Sequence, residues 1–323
     1  MVSLTKILNS LSFVVKNSSF VSISDQAIKL YCDNFQPVQL KHWSEIYPLT
    51  YKPKAIPEEE LDFLFLIGSQ AFFFWGYPNK WTIQYKNQSL DGWWALVASF
   101  DRAIERKLPI LDGKFLANLS LKEVAHIFEG TPEIPLLKER QKILNNIGQV
   151  LVSKYNGRFY NFFKQKKRDA VSLISTLSSE FYGFDDIVEY KDSKIYFFKK
   201  AQLVVADIHS VFNGKGYGSI SGVEKLPGHA DYKIPMILRK LGILVYNQEL
   251  SDFVDNRVEI KQGSEMEVEI RVNMLWATHL ICKKLKVKYP KISSTILSGV
   301  LWNQSQKKDK NDKPYHLTKT IYY

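Results

Sequence analysis

Apolar residues recur at three- and four-residue spacing through most of this 323-residue chain, and that period dictates helix. In the run PLLKERQKILNNIGQVLVSKY, residues 135–155, the apolar set is Leu136, Leu137, Ile143, Leu144, Ile147 and Val150. Pro135 is expected to open that helix. GWWALVASFDRAIERKL at 92–108 and KKAQLVVADIHSVF at 199–212 have the same period, and Gly214 stops the second. SLKE at 120–123 predicts a capping box, with Ser120 accepting from the Glu123 amide and Glu123 reaching back. The N-terminal MVSLTKILNSLSFVVKNSS reads as a first amphipathic helix rather than a signal peptide.

Strand signals are few. WTIQYKNQSLDGWW predicts a hairpin strand running into a helix, and IVEYKDSKIYFF predicts two short strands around Lys191-Asp192-Ser193. EMEVEIRV at 265–272 alternates strictly, with Met266, Val268, Ile270 and Val272 on one side. Period two predicts a strand there, although the following MLWATHLICKKL has a helical period. The expected class is mainly α with a small antiparallel β component. Residues 1–323 are expected to form a single compact domain, of one lobe or of two closely packed helical lobes. The composition, 45% hydrophobic and 14% aromatic, is sufficient for a large core of that kind.

Composition also narrows compartment and partners. The most apolar run, LDFLFLIGSQAFFFW, is interrupted by Asp62, Ser69 and Gln70 and falls short of the roughly 20 residues a membrane span needs. Two distant cysteines, Cys32 and Cys282, fit a reducing compartment, so a soluble cytoplasmic protein is expected. The net charge is +11, and residues 281–323 hold ten lysines against two aspartates, a net +8. The run KKDKNDKPYH reads first as a solvated loop; an anionic partner such as a nucleotide or RNA is the competing reading.

Several chemistries lack their signatures. NGKGYGSISG is glycine-rich but lacks the Gly-Lys-Ser/Thr ending of a phosphate loop and fails the dinucleotide fingerprint; it reads as a flexible connection. The six histidines show no metal-ligand spacing. No serine or cysteine sits in a nucleophile elbow. The carboxylate of HADYKIPMILRKLG reads either as an ordinary loop acid or as a functional one. A residue before proline avoids the α region, so Ile234 is expected to cap a short helix that Pro235 begins. Asp231 then projects from a loop near the positive helix end rather than serving as the cap. Lys199 and Lys200 read either as a surface pair with stems on Phe197 and Phe198 or as phosphate ligands. Arg271, after Glu265, Glu267 and Glu269, reads as a local ion pair, and Trp302 reads as core.

FFFWG, EIPLLKER, KKAQLVVAD, HADYKIPMILRKLG, EVEIR and the closing IYY, in that order, resemble the queuosine salvage family from about residue 60 to Tyr323. The resemblance implies an architecture like that of the helical helix-hairpin-helix DNA glycosylases. It implies hydrolysis of the N-glycosidic bond of queuosine 5′-phosphate, releasing queuine for tRNA modification. It assigns the catalytic carboxylate to Asp231 of Ala230-Asp231-Tyr232 and the phosphate or sugar side to Lys199. Water is then the co-substrate, and no metal or organic cofactor is implied.

Departures fall around the expected base pocket. His229 stands where the family usually has phenylalanine. Ser298, Gly299, Val300, Leu301, Trp302 and Asn303 stand where it usually reads Asp-Tyr-x-Leu-Trp-Asp. Gly68 to Ala71 replace an Asp-x-Leu-Asn, and His279 replaces a glutamate. Queuine carries a cationic secondary amine and a cyclopentene diol, both natural partners of carboxylates. The expectation is an intact reaction centre in a changed pocket, with His229, Tyr232, Ser298, Gly299, Trp302 and Asn303 facing substrate. A related nucleotide with another base, or a non-catalytic nucleotide- or tRNA-binding role, are the alternatives.

Overall fold

A computed structural model describes residues 2–36, 40–76, 79–307 and 312–323. Of the basic run 307–316, residues 308–311 lie outside the described residues. The helices are α1 (Leu4–Asn17), α2 (Asp25–Asp33), α3 (Trp43–Ile46), α4 (Pro57–Ser69), α5 (Gly92–Glu105), α6 (Gly113–Ala117), α7 (Leu121–Ile127) and α8 (Leu137–Lys154). They continue as α9 (Phe159–Gln165), α10 (Ala170–Glu180), α11 (Lys199–Val211), α12 (Lys233–Lys240), α13 (Gln248–Asp255), α14 (Glu265–Leu285) and α15 (Ser294–Ser305). Among the described residues there are also six short strands, β1 (Val21–Ile23), β2 (Thr82–Tyr85), β3 (Gln88–Asp91), β4 (Ile187–Tyr190), β5 (Ser193–Tyr196) and β6 (Leu244–Tyr246), and two 3₁₀ turns, Gly216–Gly218 and Val223–Lys225. The molecule is therefore mainly helical with small antiparallel sheets, as its periodicity predicts.

The strands pair two by two, all antiparallel: β1 with β6, β2 with β3 and β4 with β5. The last two are tight hairpins. Their turn residues, Lys86-Asn87 and Lys191-Asp192, all have positive φ, which matches the twist of the flanking strands. The capping box on α7 forms as expected, with both Ser120 and Glu123 bonds present. Helix α8 begins two residues later than Pro135 suggests, after Leu136 in the left-handed region.

The alternating segment 265–272 is helix, not strand. It forms the first turns of the 21-residue α14. The alternation misleads because its glutamates do not make a solvated face. Glu267 is buried against Arg271 at 3.3 Å, and Glu269 is buried accepting the amides of Ser19, Phe20 and Val21. A stretch buried without a break from Glu267 to Leu275 has no amphipathic stripe to read.

Apolar side chains gather in two clusters. One is built mainly from α4, α5, α8, α9, α10 and α11, the other from α1, α2, α12, α14 and α15. Trp302 packs against both. In the first, α4 and α11 approach so closely that a Cβ on Gly68 would lie 2.4 Å from Val204 Cγ2. That contact sets the C-terminal end of α4 beside the N-terminal end of α11, where the chemistry gathers.

Candidate active site

The C-terminal end of α4 presents carbonyls with no partner of their own helix, at the negative end of its dipole. Three buried cations answer them. Lys200 Nζ donates to Ser69 O at 3.0 Å and Lys199 Nζ to Ala71 O at 2.8 Å. Arg140 donates to Gln70 O at 2.9 Å, Phe72 O at 2.6 Å and Phe73 O at 3.3 Å. Lys199 and Lys200 are thus not a surface pair: they are 4% and 1% exposed. Burial lowers both lysines, Lys200 well below its usual range, and pushes Arg140 down to about 9. For Lys199 the carboxylates of Asp231 and Asp186 oppose that shift.

Lys199 Nζ also lies 3.8 Å from Asp231 Oδ2. The other carboxylate oxygen accepts the Lys233 amide at 2.8 Å. Helix α12 consequently starts at Lys233, with Tyr232 as the residue before it, and Pro235 falls within the first turn. The proline does not delay the helix because its missing N–H is one that a helix start leaves unbonded anyway. Asp231 meets the first amide of α12 directly and is therefore nearer the helix end than its sequence spacing from Pro235 implies.

Asp231 lines a cavity of about 340 Å³. The residues expected to do the chemistry or face substrate all border it: Lys199, His229, Asp231, Tyr232, Ser298, Gly299, Trp302 and Asn303. Two of the departures do not belong there. Of residues 68–71 only Ala71 is in the wall; Ser69 and Gln70 are fully buried behind it. His279 is exposed on α14, packed on Trp276, and borders no part of the cavity. Arg271 is also elsewhere. Its main partner is Asp186, at 2.7 and 3.1 Å, with the expected local glutamate, Glu267, second.

Two helices each contribute a face to the wall by periodicity. Lys199, Leu203, Ala206, Asp207 and Ser210 are one face of α11, and Thr295, Ser298, Gly299, Trp302 and Asn303 one face of α15. Aromatic residues add apolar surface: Trp43, Phe74, Trp93 and Tyr232, with Trp43 and Trp93 in T-shaped contact at 5.3 Å. Trp302 is half-buried rather than pure core, with its edge against Trp94.

The sequence alone did not single out His42 and Asp207. Both border the cavity, and His42 Nε2 lies 3.1 Å from Asp207 Oδ1. Asp207 was available as the residue eight positions after Lys199, on the same helix face. His42 had no such signal, since it reaches the cavity from the capping box that starts α3. His229 stands in the wall with its pKa pushed down to about 4 by burial, against the opposing influence of Asp207. It is neutral near pH 7. Among the described residues no three or more His, Cys, Asp or Glu side chains group as a metal site would require. None of the described helices is long and apolar enough to cross a membrane.

A buried lysine beside a carboxylate, at the edge of an aromatic-walled cavity of this volume, suits a flat heterocycle joined to a polar, charged group. The comparisons agree with that class. The family model for queuosine salvage protein matches residues 51–323, and the chain belongs to that family. A Sphaerobacter thermophilus protein named queuosine 5′-phosphate N-glycosylase/hydrolase is 36% identical over 262 residues, 81% of each chain. Proteins of the same name from Mus musculus and Schizosaccharomyces pombe are 31% and 28% identical. The first alignment covers 97% of both chains, the second 93% of this chain and 91% of the relative.

Proposed function

We propose that this protein hydrolyses the N-glycosidic bond of queuosine 5′-phosphate in the cytoplasm and releases queuine, with Asp231 as the catalytic carboxylate. The observation that carries the proposal is the placement of Asp231, fixed between Lys199 and the Lys233 amide at the wall of the cavity. The bond from the anomeric carbon to the base nitrogen breaks with its electron pair leaving on the base. Positive charge then develops on the sugar, and an aimed carboxylate stabilises it. Asp231 also orients the attacking water and takes its proton as the new C–O bond forms. The departing nitrogen gains a proton, and the products are queuine and ribose 5-phosphate. A 7-deazapurine lacks the ring nitrogen that would otherwise accept a proton early, so stabilisation on the sugar side carries more of the barrier.

The aromatic walls take the base, and His229, Tyr232, Gly299, Trp302 and Asn303 surround it. Lys199 serves the sugar–phosphate side. Residues 1–323 act as one domain of two packed lobes, in an arrangement akin to the helical DNA glycosylases. The partner is the small nucleotide; RNA is not required. A second reading has one observation in its favour: the α15 wall offers no carboxylate to a cationic amine or a diol. Under it, the substrate is a related 7-deazaguanine nucleotide without those groups. Chromatography of bases released from queuosine 5′-phosphate, its 7-deaza precursors, guanosine and adenosine 5′-phosphates and the matching nucleosides separates the readings. Queuine release supports the first and release of a precursor base the second. Silence across the panel removes both.

A further inference from the structure

Ser298 borders the cavity, yet its hydroxyl is already committed to the protein. It donates to Ser294 O at 2.8 Å, one turn back on α15, and accepts the His229 amide at 3.2 Å. The side chain is 1% exposed. The facing residue, Gly228, has φ +107, and a Cβ there would stand 2.5 Å from Ser298 Oγ and 3.1 Å from Ser294 O. The loop before Asp231 therefore lies directly on α15, at a place where only glycine fits. Beyond it the Asp231 amide donates to His229 O at 2.8 Å, so a displacement of His229 is passed straight to the carboxylate. On the far side of Asp231, Lys233 Nζ donates to Gln306 Oε1 at 2.7 Å, just past the end of α15. The helix thus holds the loop on both sides of the aspartate.

We infer that Ser298 is a positioning residue, which fixes the loop carrying Asp231 onto α15 rather than contacting the base. The inference rests on the catalytic reading of Asp231 given above. It changes the expectation drawn from sequence, in which position 298 faces the substrate. It also makes α15 a shared element: Thr295, Gly299, Trp302 and Asn303 line the cavity from the helix that holds the carboxylate in place.

The test compares wild type with Ser298→Ala and Ser298→Thr, all three folded by thermal melt, in queuosine 5′-phosphate hydrolysis and in amide exchange. A displaced catalytic group costs rate rather than binding. Ser298→Ala is expected to lower kcat about tenfold with KM within about twofold of wild type. Ser298→Thr retains a hydroxyl able to bond one turn back and is expected to recover kcat to within about threefold. Exchange of the His229 amide should quicken about tenfold or more in Ser298→Ala and stay slow in Ser298→Thr. A rise in KM at unchanged kcat would make Ser298 a substrate contact and overturn the inference, as would unchanged kinetics. If wild type releases no queuine, the functional reading fails by itself; the exchange arm then decides whether Ser298 holds the loop, and unchanged exchange overturns that too.

Discussion

His229 and Lys199 carry opposite lessons about burial. A buried histidine with its pKa near 4, against an ordinary 6.5, is uncharged in the folded chain while the unfolded chain still takes up a proton between those values. The unfolded state binds more protons there, so this contribution to stability is lost as pH falls from about 6.5 toward 4. Replacing His229 by Phe removes the linkage. Wild type should therefore lose more melting temperature than His229→Phe between about pH 7.5 and about pH 5. Equal losses would mean that the ring titrates normally. At this scale Asp231 was legible through the family resemblance, since an acid just ahead of a helix is by itself an ordinary loop or capping carboxylate, and its Oδ1 does accept the Lys233 amide. The sequence misled at Lys199 and Lys200, since adjacent lysines ordinarily face water. Nothing local shows that five consecutive carbonyls, from Ser69 to Phe73, need them and Arg140 as donors.

Two glycines at opposite ends of the packing scale test how the helices set the site. On α8, a Cβ at Gly148 would fall 2.1 Å from Ala117 N and 2.6 Å from Gly113 O, both backbone atoms of α6. Neither can move aside, so Gly148→Ala should cost about 2–3 kcal/mol in denaturant unfolding, the usual scale of overpacking. Gly299, in the middle of α15 and on the cavity wall, has nothing within 4 Å of its Cβ position. Gly299→Ala should keep or raise stability, by up to about 1 kcal/mol from helix propensity, while its methyl enters the cavity and changes KM. A destabilised Gly299→Ala or a neutral Gly148→Ala would contradict the packing. Elements themselves were readable where the apolar residues keep a helical or alternating period: α1, α5, α7, α8, α11 and both hairpins follow theirs, α11 although none of its residues is exposed. The first turns of α14 were not, because Glu267, Glu269 and Arg271 are satisfied inside the protein and period two lost its meaning, whereas its second half, MLWATHLICKKL, kept the helical period.

Across the whole molecule the cavity is walled from both apolar clusters: Phe74, Trp93 and α11 belong to one side, Ile234 and α15 to the other. Ligand binding then stabilises the two clusters together. A single unfolding transition is expected by calorimetry, rising with queuine concentration, by about 2.7 kcal/mol of unfolding free energy at a hundredfold excess over Kd. Two transitions, of which only one responds, would separate the lobes. The mainly helical class was legible from the period of the apolar residues, whereas the gathering of Lys199, His229, Asp231, Tyr232, Ser298, Gly299, Trp302 and Asn303 was expected only from the family resemblance, since nothing in their spacing joins three distant segments. The contribution of His42 was not legible, because it comes from a capping turn more than 150 residues away from its partner Asp207.

The central claim is that Asp231 does the chemistry, and Asp231→Asn tests it most directly. The amide oxygen can still accept the Lys233 N–H, so the loop and the start of α12 are preserved while the charge is removed. Single-turnover queuine release from queuosine 5′-phosphate should fall by about a thousandfold, with the melting temperature nearly unchanged. More than about a tenth of wild-type turnover in the folded variant would contradict the account, because a loss that small is within reach of mispositioning alone.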